Sequence, residues 1–421
     1  MKYLIAASLA IAAPVFAEPS QPSQPSQPIR FRDAIRLAME HNTDRQVALE
    51  EIQRVKGLLA QATAALMPQV NAAAIYTRLE GDRFVEMHRS AAANSVTAQL
   101  TVDTPIVDLK AYSDRKRARD QVEVTAAEAE RTRRDVAIAT ARAYFAAFSA
   151  ARQLDNTAHA RDTAKAHVEF SRARREASVG TELDLSRDEA ELATTEAQLA
   201  SATIAKLRAE EALGVIIGSD RAAAPSEEPD LGEPRTGSGL AARADVIASR
   251  RRSDAATESR RADWTDWAPS LRLAGEGFLD APQIDPLPRI GYQLLFSLNV
   301  PIYDGGFRHG AHDQHVAEEH EALEQLAGVD RQASSEIRIA EAAVTDARIA
   351  RDAARLAATK AAHTLELATL GYKSGTATGL EVVDAQRAAL DAATQAIISD
   401  DDYRQAELDL LAATGAFPPK L

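Results

Sequence analysis

The sequence has no cysteine, and only 5% of its 421 residues are aromatic. Without cysteine the chain can form no disulfide, no thiolate metal site and no cysteine nucleophile. A large single core requires bulky side chains, so this alanine-rich composition instead favours long helices packed closely in an extended bundle. The net charge of −13 argues against a general nucleic-acid-binding protein, because contact with phosphates requires a basic face.

Signatures of common enzymes are absent as well. The sequence has no phosphate-binding loop, no dinucleotide-binding fingerprint, no His-Glu-x-x-His and no Gly-x-Ser-x-Gly, so it predicts neither an enzyme nor a bound cofactor. His309, His312 and His315 follow one another at spacings of three residues, which is compatible with a metal site. No acid or cysteine is placed to complete that site, and solvated histidines are the favoured interpretation.

The N-terminus predicts export from the cytoplasm. Residues 1–17 have the pattern of a secretory signal peptide, with a positive Lys2, an apolar stretch and the small-residue cleavage site Val15-Phe-Ala17. A membrane anchor is disfavoured because the apolar run is too short to span a bilayer. Residues 18–29 form a Pro/Ser/Gln-rich leader, expected to be disordered or extended. No later stretch reaches the ~18 apolar residues of a spanning helix, so any membrane-embedded part must consist of strands.

The chain contains two copies of one helical hairpin tip. Thr378 and Glu381 have the spacing of a capping box that begins a helix after a glycine-rich turn. Thr181 and Asp184 imitate this arrangement 197 residues earlier. The duplication predicts two structural repeats, residues 30–219 with a tip about 178–184 and residues 241–415 with a tip about 371–380, joined by a linker at 220–240 and followed by a tail at 416–421.

Each repeat is predicted to contain a helix, a strand pair, a long helix, the tip and a returning helix. The long helices are predicted over residues 114–177 and 308–370. Apolar residues that recur every seven positions in the returning helices indicate coiled-coil packing. The strands are expected at about residues 69–80 and 94–104 in the first repeat and about 269–279 and 289–301 in the second.

The predicted strands have one apolar and one mostly polar face. In the last strand, six apolar residues from Ile290 to Val300 alternate with their neighbours, and this length suits a tilted strand that crosses a bilayer. Lipid is the simplest cover for such faces, because no helix of bulky apolar residues is left to pack on them. Open sheet edges are not tolerated in hydrocarbon, so several copies must close a barrel. Two copies would give eight strands around a plugged interior, and three would give twelve around a lumen.

Several motifs together resemble the TolC-like outer-membrane efflux proteins over essentially all of the mature sequence. In chain order they are Phe31-Arg-Asp-Ala-Ile-Arg-Leu-Ala38, Arg243-Ala-Asp245 (where the family usually has Arg-Pro-Asp), Ala268-Pro-Ser-Leu271, Val300-Pro-Ile-Tyr-Asp-Gly-Gly306, and Tyr372 followed by Gly375-Thr-x-x-Gly-Leu-Glu-Val-Val-Asp-Ala-Gln386. Each motif alone is weak, whereas their order, spacing and duplication are specific.

The resemblance implies a mainly α-helical fold with a small β part and an internal twofold repeat. It implies a homotrimer in the outer membrane, in which four strands per chain form a 12-stranded transmembrane β-barrel. The long coiled-coil helices would form an α-barrel through the periplasm, with the linker in its equatorial region. The implied function is a passive exit duct of a tripartite efflux or type I secretion system, docked to a periplasmic adaptor and an inner-membrane pump or transporter.

The resemblance also assigns roles at the tips. Glu381 and Asp384 take the place of an acidic constriction at the periplasmic entrance, although acids in the first turns of a helix also stabilise it without any gate. Tyr372 and Asp184 take the place of an inter-helix lock, in which some relatives have a basic residue where this chain has Ala377. The adaptor is expected to contact both tips, at Val179, Gly180, Thr181, Gly375 and Thr376.

Two other classes of protein remain open. A periplasmic adaptor also carries a coiled-coil hairpin, but it would have one hairpin and many β-residues around it, whereas this chain has two hairpins and few strands. A soluble coiled-coil scaffold would not need four strands with apolar stripes. Recovery from the outer membrane, as opposed to recovery as a soluble monomer, distinguishes the channel from both.

Overall fold

The computed structural model describes residues 26–85, 88–231, 239–283 and 288–417. The predicted signal peptide, most of the leader and residues 418–421 of the tail lie outside the described residues. The helices are α1 (Phe31–His41), α2 (Thr43–Ala64), α3 (Leu109–Glu176), α4 (Glu182–Ile216), α5 (Ala244–Arg261), α6 (Phe307–Ser374) and α7 (Gly379–Ala413). The strands are β1 (Gln27–Ile29), β2 (Gln69–Arg78), β3 (Arg83–Val85), β4 (His88–Ala91), β5 (Asn94–Val107), β6 (Ala223–Pro225), β7 (Ser270–Ala281) and β8 (Ile290–Asn299).

Four long helices form two antiparallel hairpins. The helices α3 and α6 contain 68 residues each, which is ~100 Å at 1.5 Å per residue. Each continues through a short tip into a helix of 35 residues, α4 or α7. Alanines such as Ala137, Ala141 and Ala147 are fully buried along α3, and their small side chains let neighbouring helices approach closely. In the described parts of the chain, none of the helices combines the length and the apolar composition needed to cross a membrane.

Four strands form one antiparallel sheet in the order β2-β5-β7-β8, so that β2 and β8 are its edges. The observed strand ends differ from the predicted ones by up to three residues. A bulge between Pro105 and Val107 marks the place where β5 leaves the sheet. The predicted loop between β2 and β5 additionally contains the small hairpin β3-β4, which the sequence pattern did not indicate.

One face of this sheet is apolar and uncovered within the protomer. The register places Val102 beside Val70 and Gly275, and Gly275 beside Leu294, so the apolar residues of all four strands share one side. Tyr292 and Leu294 on that side are 82% and 65% exposed. The opposite face is mainly polar, with hydrogen bonds between neighbouring strands such as Thr97 to Asp280 and Gln293 to Glu276.

The main hydrophobic cluster joins α1, α3, α4 and α7. Phe31 of α1 stacks on Phe145 at 5.7 Å between ring centres and meets Tyr144 edge-on at 5.2 Å. Beside this cluster, β1 pairs in parallel with β6. The last residues of the predicted leader and part of the predicted linker therefore form a small ordered sheet against the core.

The two repeats make the same contact at the end of each returning helix. Asn42, which precedes α2, donates its side-chain amide to the carbonyl of Ile216 at 2.9 Å. Arg243, which precedes α5, donates to the carbonyl of Ala413 at 3.3 Å, and these two carbonyls lie 197 residues apart. Arg243 also bonds Glu336 of α6 at 2.6 Å. The predicted twofold repeat is therefore present in the structure.

Candidate functional site

The first tip is a tight turn between α3 and α4. The N–H groups of Val179 and Gly180 both donate to the carbonyl of Arg174, each at 3.0 Å. Thr181 then caps α4, because its hydroxyl oxygen accepts from the Asp184 N–H at 3.1 Å. The same hydroxyl donates to the Asp184 carboxylate at 2.7 Å. Thr181 and Asp184 thus form a local cap in which the carboxylate binds the hydroxyl instead of the backbone.

The second tip joins α6 to α7 through a left-handed glycine. Gly375 has a φ of 81°, which glycine adopts without steric strain. The Thr376 N–H donates to the carbonyl of Gly371 at 2.8 Å. The Glu381 carboxylate accepts from the Thr378 N–H at 2.7 Å, and the Thr378 hydroxyl accepts from the Glu381 N–H at 3.3 Å. This reciprocal pair is the predicted capping box.

Glu381 and Asp384 are both exposed, three residues apart on one face of α7. The hydrogen bond from the Thr378 backbone lowers the pKa of the Glu381 carboxyl. Among the described residues, the Asp384 carboxylate has no hydrogen bond or ion pair. Glu381 therefore has a local structural role in addition to any role in a constriction. The constriction itself requires these acids to face an axis shared with other copies, and it stays a prediction.

Tyr372 is buried between the two hairpins. Its hydroxyl lies 3.4 Å from the hydroxyl of Ser171 on α3, and Ser171 donates a short hydrogen bond to Asp188 on α4. Within the described residues, Tyr372 and Asp184 are not hydrogen-bonded to each other. Asp184 instead lies so close to Gly379 that a side chain at that glycine would touch its carboxylate. The contact of Tyr372 therefore runs toward Asp188, one helical turn beyond the predicted partner.

A basic side chain at this contact comes from the first hairpin. Arg174 of α3 donates to the carbonyl of Tyr372 at 3.2 Å, and its guanidinium lies 4.8 Å from the centre of the Tyr372 ring, a distance typical of a cation–π contact. Phe170 packs edge-on against the same ring at 5.6 Å. Ala377 thus leaves the second tip without a basic residue, and Arg174 supplies one from the opposite side.

Burial changes the proton affinity of the groups behind this contact. Asp188 is 5% exposed, and burial raises the pKa of its carboxyl, although the hydrogen bond from Ser171 acts in the opposite direction. Burial also lowers the pKa of His167, one turn before Ser171. Neither Ser171 nor Asp188 belongs to a sequence motif, and sequence reasoning missed both.

Farther from the tips, ion pairs connect α7 to its neighbours. Glu191 of α4 is buried and accepts from Arg387 of α7 at 2.7 Å. The buried carboxylate of Asp400 on α7 accepts from Arg152 of α3 at 2.9 Å and from Arg355 of α6 at 2.7 Å. A buried carboxylate that loses its partner is strongly destabilising. These pairs therefore favour one relative position of the two hairpins.

The three histidines at the start of α6 contact the segment that precedes β7. The Nδ1 atoms of His312 and His315 lie 2.9 and 2.5 Å from the two carboxylate oxygens of Asp263. His309 packs edge-on against Trp267 at 5.2 Å. In the part of the chain that the structure describes, no group of three or more His, Cys, Asp or Glu side chains is arranged to hold a metal ion.

Two long hairpins attached to a small sheet with an uncovered apolar face define an elongated, membrane-associated helical protein. The family model described as outer membrane efflux protein matches residues 34–219 and 237–416, which correspond to the two repeats. The chain therefore belongs to the outer membrane efflux protein family, and the resemblance inferred from its motifs is confirmed. Members of this family are passive channels of the outer membrane and not enzymes.

Solved structures share the fold. A membrane protein from Pseudomonas aeruginosa is 22% identical, with a TM-score of 0.81 over 96% of this chain and 96% of that chain. The CmeC outer membrane channel of Campylobacter jejuni is 17% identical, with a TM-score of 0.82 over 97% and 94%. The open state of the MtrE outer membrane channel of Neisseria gonorrhoeae is 20% identical, with a TM-score of 0.79 over 92% and 89%. These likenesses confirm the predicted TolC-like fold. Among curated protein sequences, none matches the chain.

Proposed function

We propose that three copies of this chain form the outer-membrane exit duct of a tripartite efflux or type I secretion system. Family membership supports the channel role. The observation that carries the assembly is the uncovered apolar face of the sheet β2-β5-β7-β8, where Tyr292, Leu294 and Phe296 are at least 65% exposed. A continuous apolar face of this kind is favourable against lipid hydrocarbon and unfavourable in water.

The edges of the same sheet require more than one copy. Within the described residues, β2 and β8 each pair on one side only, and hydrocarbon cannot satisfy the backbone groups of the other side. Four strands from each of three copies make twelve, which leaves room for a water-filled lumen, whereas eight strands enclose little beyond side chains. The polar face, with Thr97, Glu276 and Gln293, would then line the lumen.

The hairpin tips are the proposed docking surface for a periplasmic adaptor, which links the duct to an inner-membrane pump or transporter. Val179, Leu183 and Leu380 are exposed at the tips. Exposed apolar side chains at the end of a coiled coil suit a contact with another helical hairpin. The turn backbone between them completes this surface through Gly180, Thr181, Gly375 and Thr376.

The periplasmic entrance is the proposed position of the gate. Glu381 and Asp384 contribute two carboxylates per chain, six in a trimer, and such crowding favours cations and repels anions. The contact of Tyr372 with Ser171 and Arg174 would hold the hairpins in the closed arrangement. This assignment replaces Asp184 by Ser171 and Asp188 as the partners of Tyr372 within one chain.

Fractionation and electrical recording test the channel proposal. The chain should be recovered with the sarkosyl-insoluble outer membrane and should produce discrete currents in planar bilayers. Leu294→Asp, on the apolar face, should abolish recovery in the membrane, whereas Gln293→Asp, the adjacent residue on the polar face, should not. Recovery as a freely soluble monomer without currents would instead favour the alternative function, a periplasmic adaptor or coiled-coil scaffold.

A further inference from the structure

The four long helices enclose a cleft within one protomer. Its volume is about 230 Å³, and Gln386 in its wall lies 11 residues beyond Gly375, ~16 Å along the helix axis. All of α3, α4, α6 and α7 contribute to the wall, which otherwise consists largely of alanines. The other larger side chains of the wall include Asn156, His159, Glu191, Leu365 and Leu390.

The Gln386 amide is an unused hydrogen-bonding group in this cleft. Its residue is 9% exposed, and its nitrogen has no hydrogen-bond partner among the described residues. Neighbouring polar groups are satisfied, since Asn156 donates to Thr394 at 3.2 Å and Glu191 accepts from Arg387 at 2.7 Å. Buried polar groups without partners are rare in native proteins, and an absent ligand is one physical explanation for such a group.

We infer that the cleft binds a small uncharged molecule that presents a carbonyl oxygen to the Gln386 amide nitrogen and an apolar body to Leu365 and Leu390. An anion is disfavoured because the wall has no lysine or arginine, and a cation is disfavoured because the Glu191 carboxylate is already paired with Arg387. The volume lies below the ~300–1,000 Å³ of drug-sized pockets, so the ligand is smaller than a typical drug. Since the ligand contacts all four helices, its binding fastens the two hairpins to each other.

Fluorine NMR with 4-fluoroacetophenone tests this site on the full-length protein in detergent. The wild-type protein should broaden the fluorine signal in a saturable manner. Gln386→Leu keeps the size of the side chain and removes the donor, so it should weaken binding about five- to tenfold, the net effect of one hydrogen bond. Non-saturable broadening that is the same in both proteins would mean partition into detergent and would overturn the inference.

A pair of phenylalanine variants locates the bound probe. Ala389→Phe fills the cleft and should abolish saturable binding, whereas Ala388→Phe makes the same change on the exposed side of α7 and should preserve it. Saturable binding that survives Ala389→Phe overturns the inference. If Ala389→Phe fails to fold by circular dichroism and gel filtration, the comparison with Gln386→Leu decides the question alone. Binding is read without any current, so a negative result leaves the channel proposal intact.

Discussion

Arg387 of α7 donates its Nε–H to the carboxylate of Glu191 on α4 at 2.7 Å, and this pair joins the two hairpins. The Glu191 side chain is 4% exposed, whereas that of Arg387 is 57% exposed. The two partners are therefore not equivalent. Removal of the arginine leaves a buried charge without its partner, whereas removal of the glutamate charge leaves a cation that water can solvate.

Arg387→Ala is expected to lower the free energy of unfolding by about 1–3 kcal/mol, between the values for exposed and buried pairs. Glu191→Gln should cost less, because the glutamine carbonyl still accepts the hydrogen bond. Denaturant unfolding of the purified trimer measures both. Arg172→Ala is the control, since the Arg172–Glu189 pair is exposed on both sides and should contribute less than ~1 kcal/mol. Equal losses in all three variants would contradict the role of burial.

Ser171→Ala is expected to loosen the periplasmic entrance more than Tyr372→Phe. The alanine removes the donor to the buried Asp188, which costs about 1–3 kcal/mol, whereas the 3.4 Å contact of the Tyr372 hydroxyl contributes less than ~1 kcal/mol. Single-channel conductance and the entry of large antibiotics through the outer membrane are the measurements. Asp184→Ala should have a smaller effect than Ser171→Ala. The opposite order would restore Asp184 as the principal partner in the lock.

The stability of the tip region should fall as pH rises, because burial raises the pKa of Asp188. The folded chain then binds this proton more tightly than the unfolded chain does. The resulting stabilisation is complete below the ordinary aspartate pKa of about 3.9 and is lost as pH rises through the higher folded value. In Asp188→Asn this loss should be absent, so the variant should gain stability relative to the wild type between about pH 4 and pH 7.

A second variant separates Asp188 from its titrating neighbours. His167 of α3 and Asp184 and Glu191 of α4 all influence the Asp188 carboxyl, and Lys373 of α6 influences His167. Thermal unfolding at a series of pH values should give parallel curves for His167→Gln with and without Asp188, apart from the slope assigned to Asp188. If Asp188→Asn and the wild type keep the same pH dependence, the assignment to Asp188 is wrong.

The acidic constriction can be tested without damage to the cap of α7. Glutamine also completes a capping box, so Glu381→Gln removes the charge and keeps the hydrogen bond to Thr378. We expect Glu381→Gln with Asp384→Asn to weaken block by multivalent cations and to reduce cation selectivity, because the ring of carboxylates is neutralised. Circular dichroism should be unchanged. Glu381→Ala would additionally cost ~1 kcal/mol through loss of the cap. Identical currents in wild type and the neutral double variant would exclude the constriction.

The sequence predicted the parts of the fold that local patterns specify. Thr378 and Glu381 identified a helix start because a capping box is local, and alternation in Ile290–Asn299 identified a strand because each side chain reports its own face. The repeat became visible because Thr181 and Thr378 have the same neighbours. These patterns, together with the order of the motifs, were sufficient for the fold class and the family.

The contacts between hairpins could not be predicted in the same way. Ser171, Asp188 and Arg174 have no distinctive spacing, and their proximity to Tyr372 depends on how two ~100 Å helices are aligned. A displacement of one turn exchanges Asp184 for Asp188, and no local signal distinguishes the two. The small hairpin β3-β4 was also missed, because its strands are too short to show alternation.

The uncovered apolar face of the sheet links folding to assembly. A single chain in water would have to expose Tyr292, Leu294 and Phe296 together with two open edges, which is an arrangement prone to aggregation. The isolated monomer is therefore a poorly defined thermodynamic state. Unfolding transitions should shift with protein concentration, and in the cell the chain needs a holding chaperone until its partners and the lipid are available.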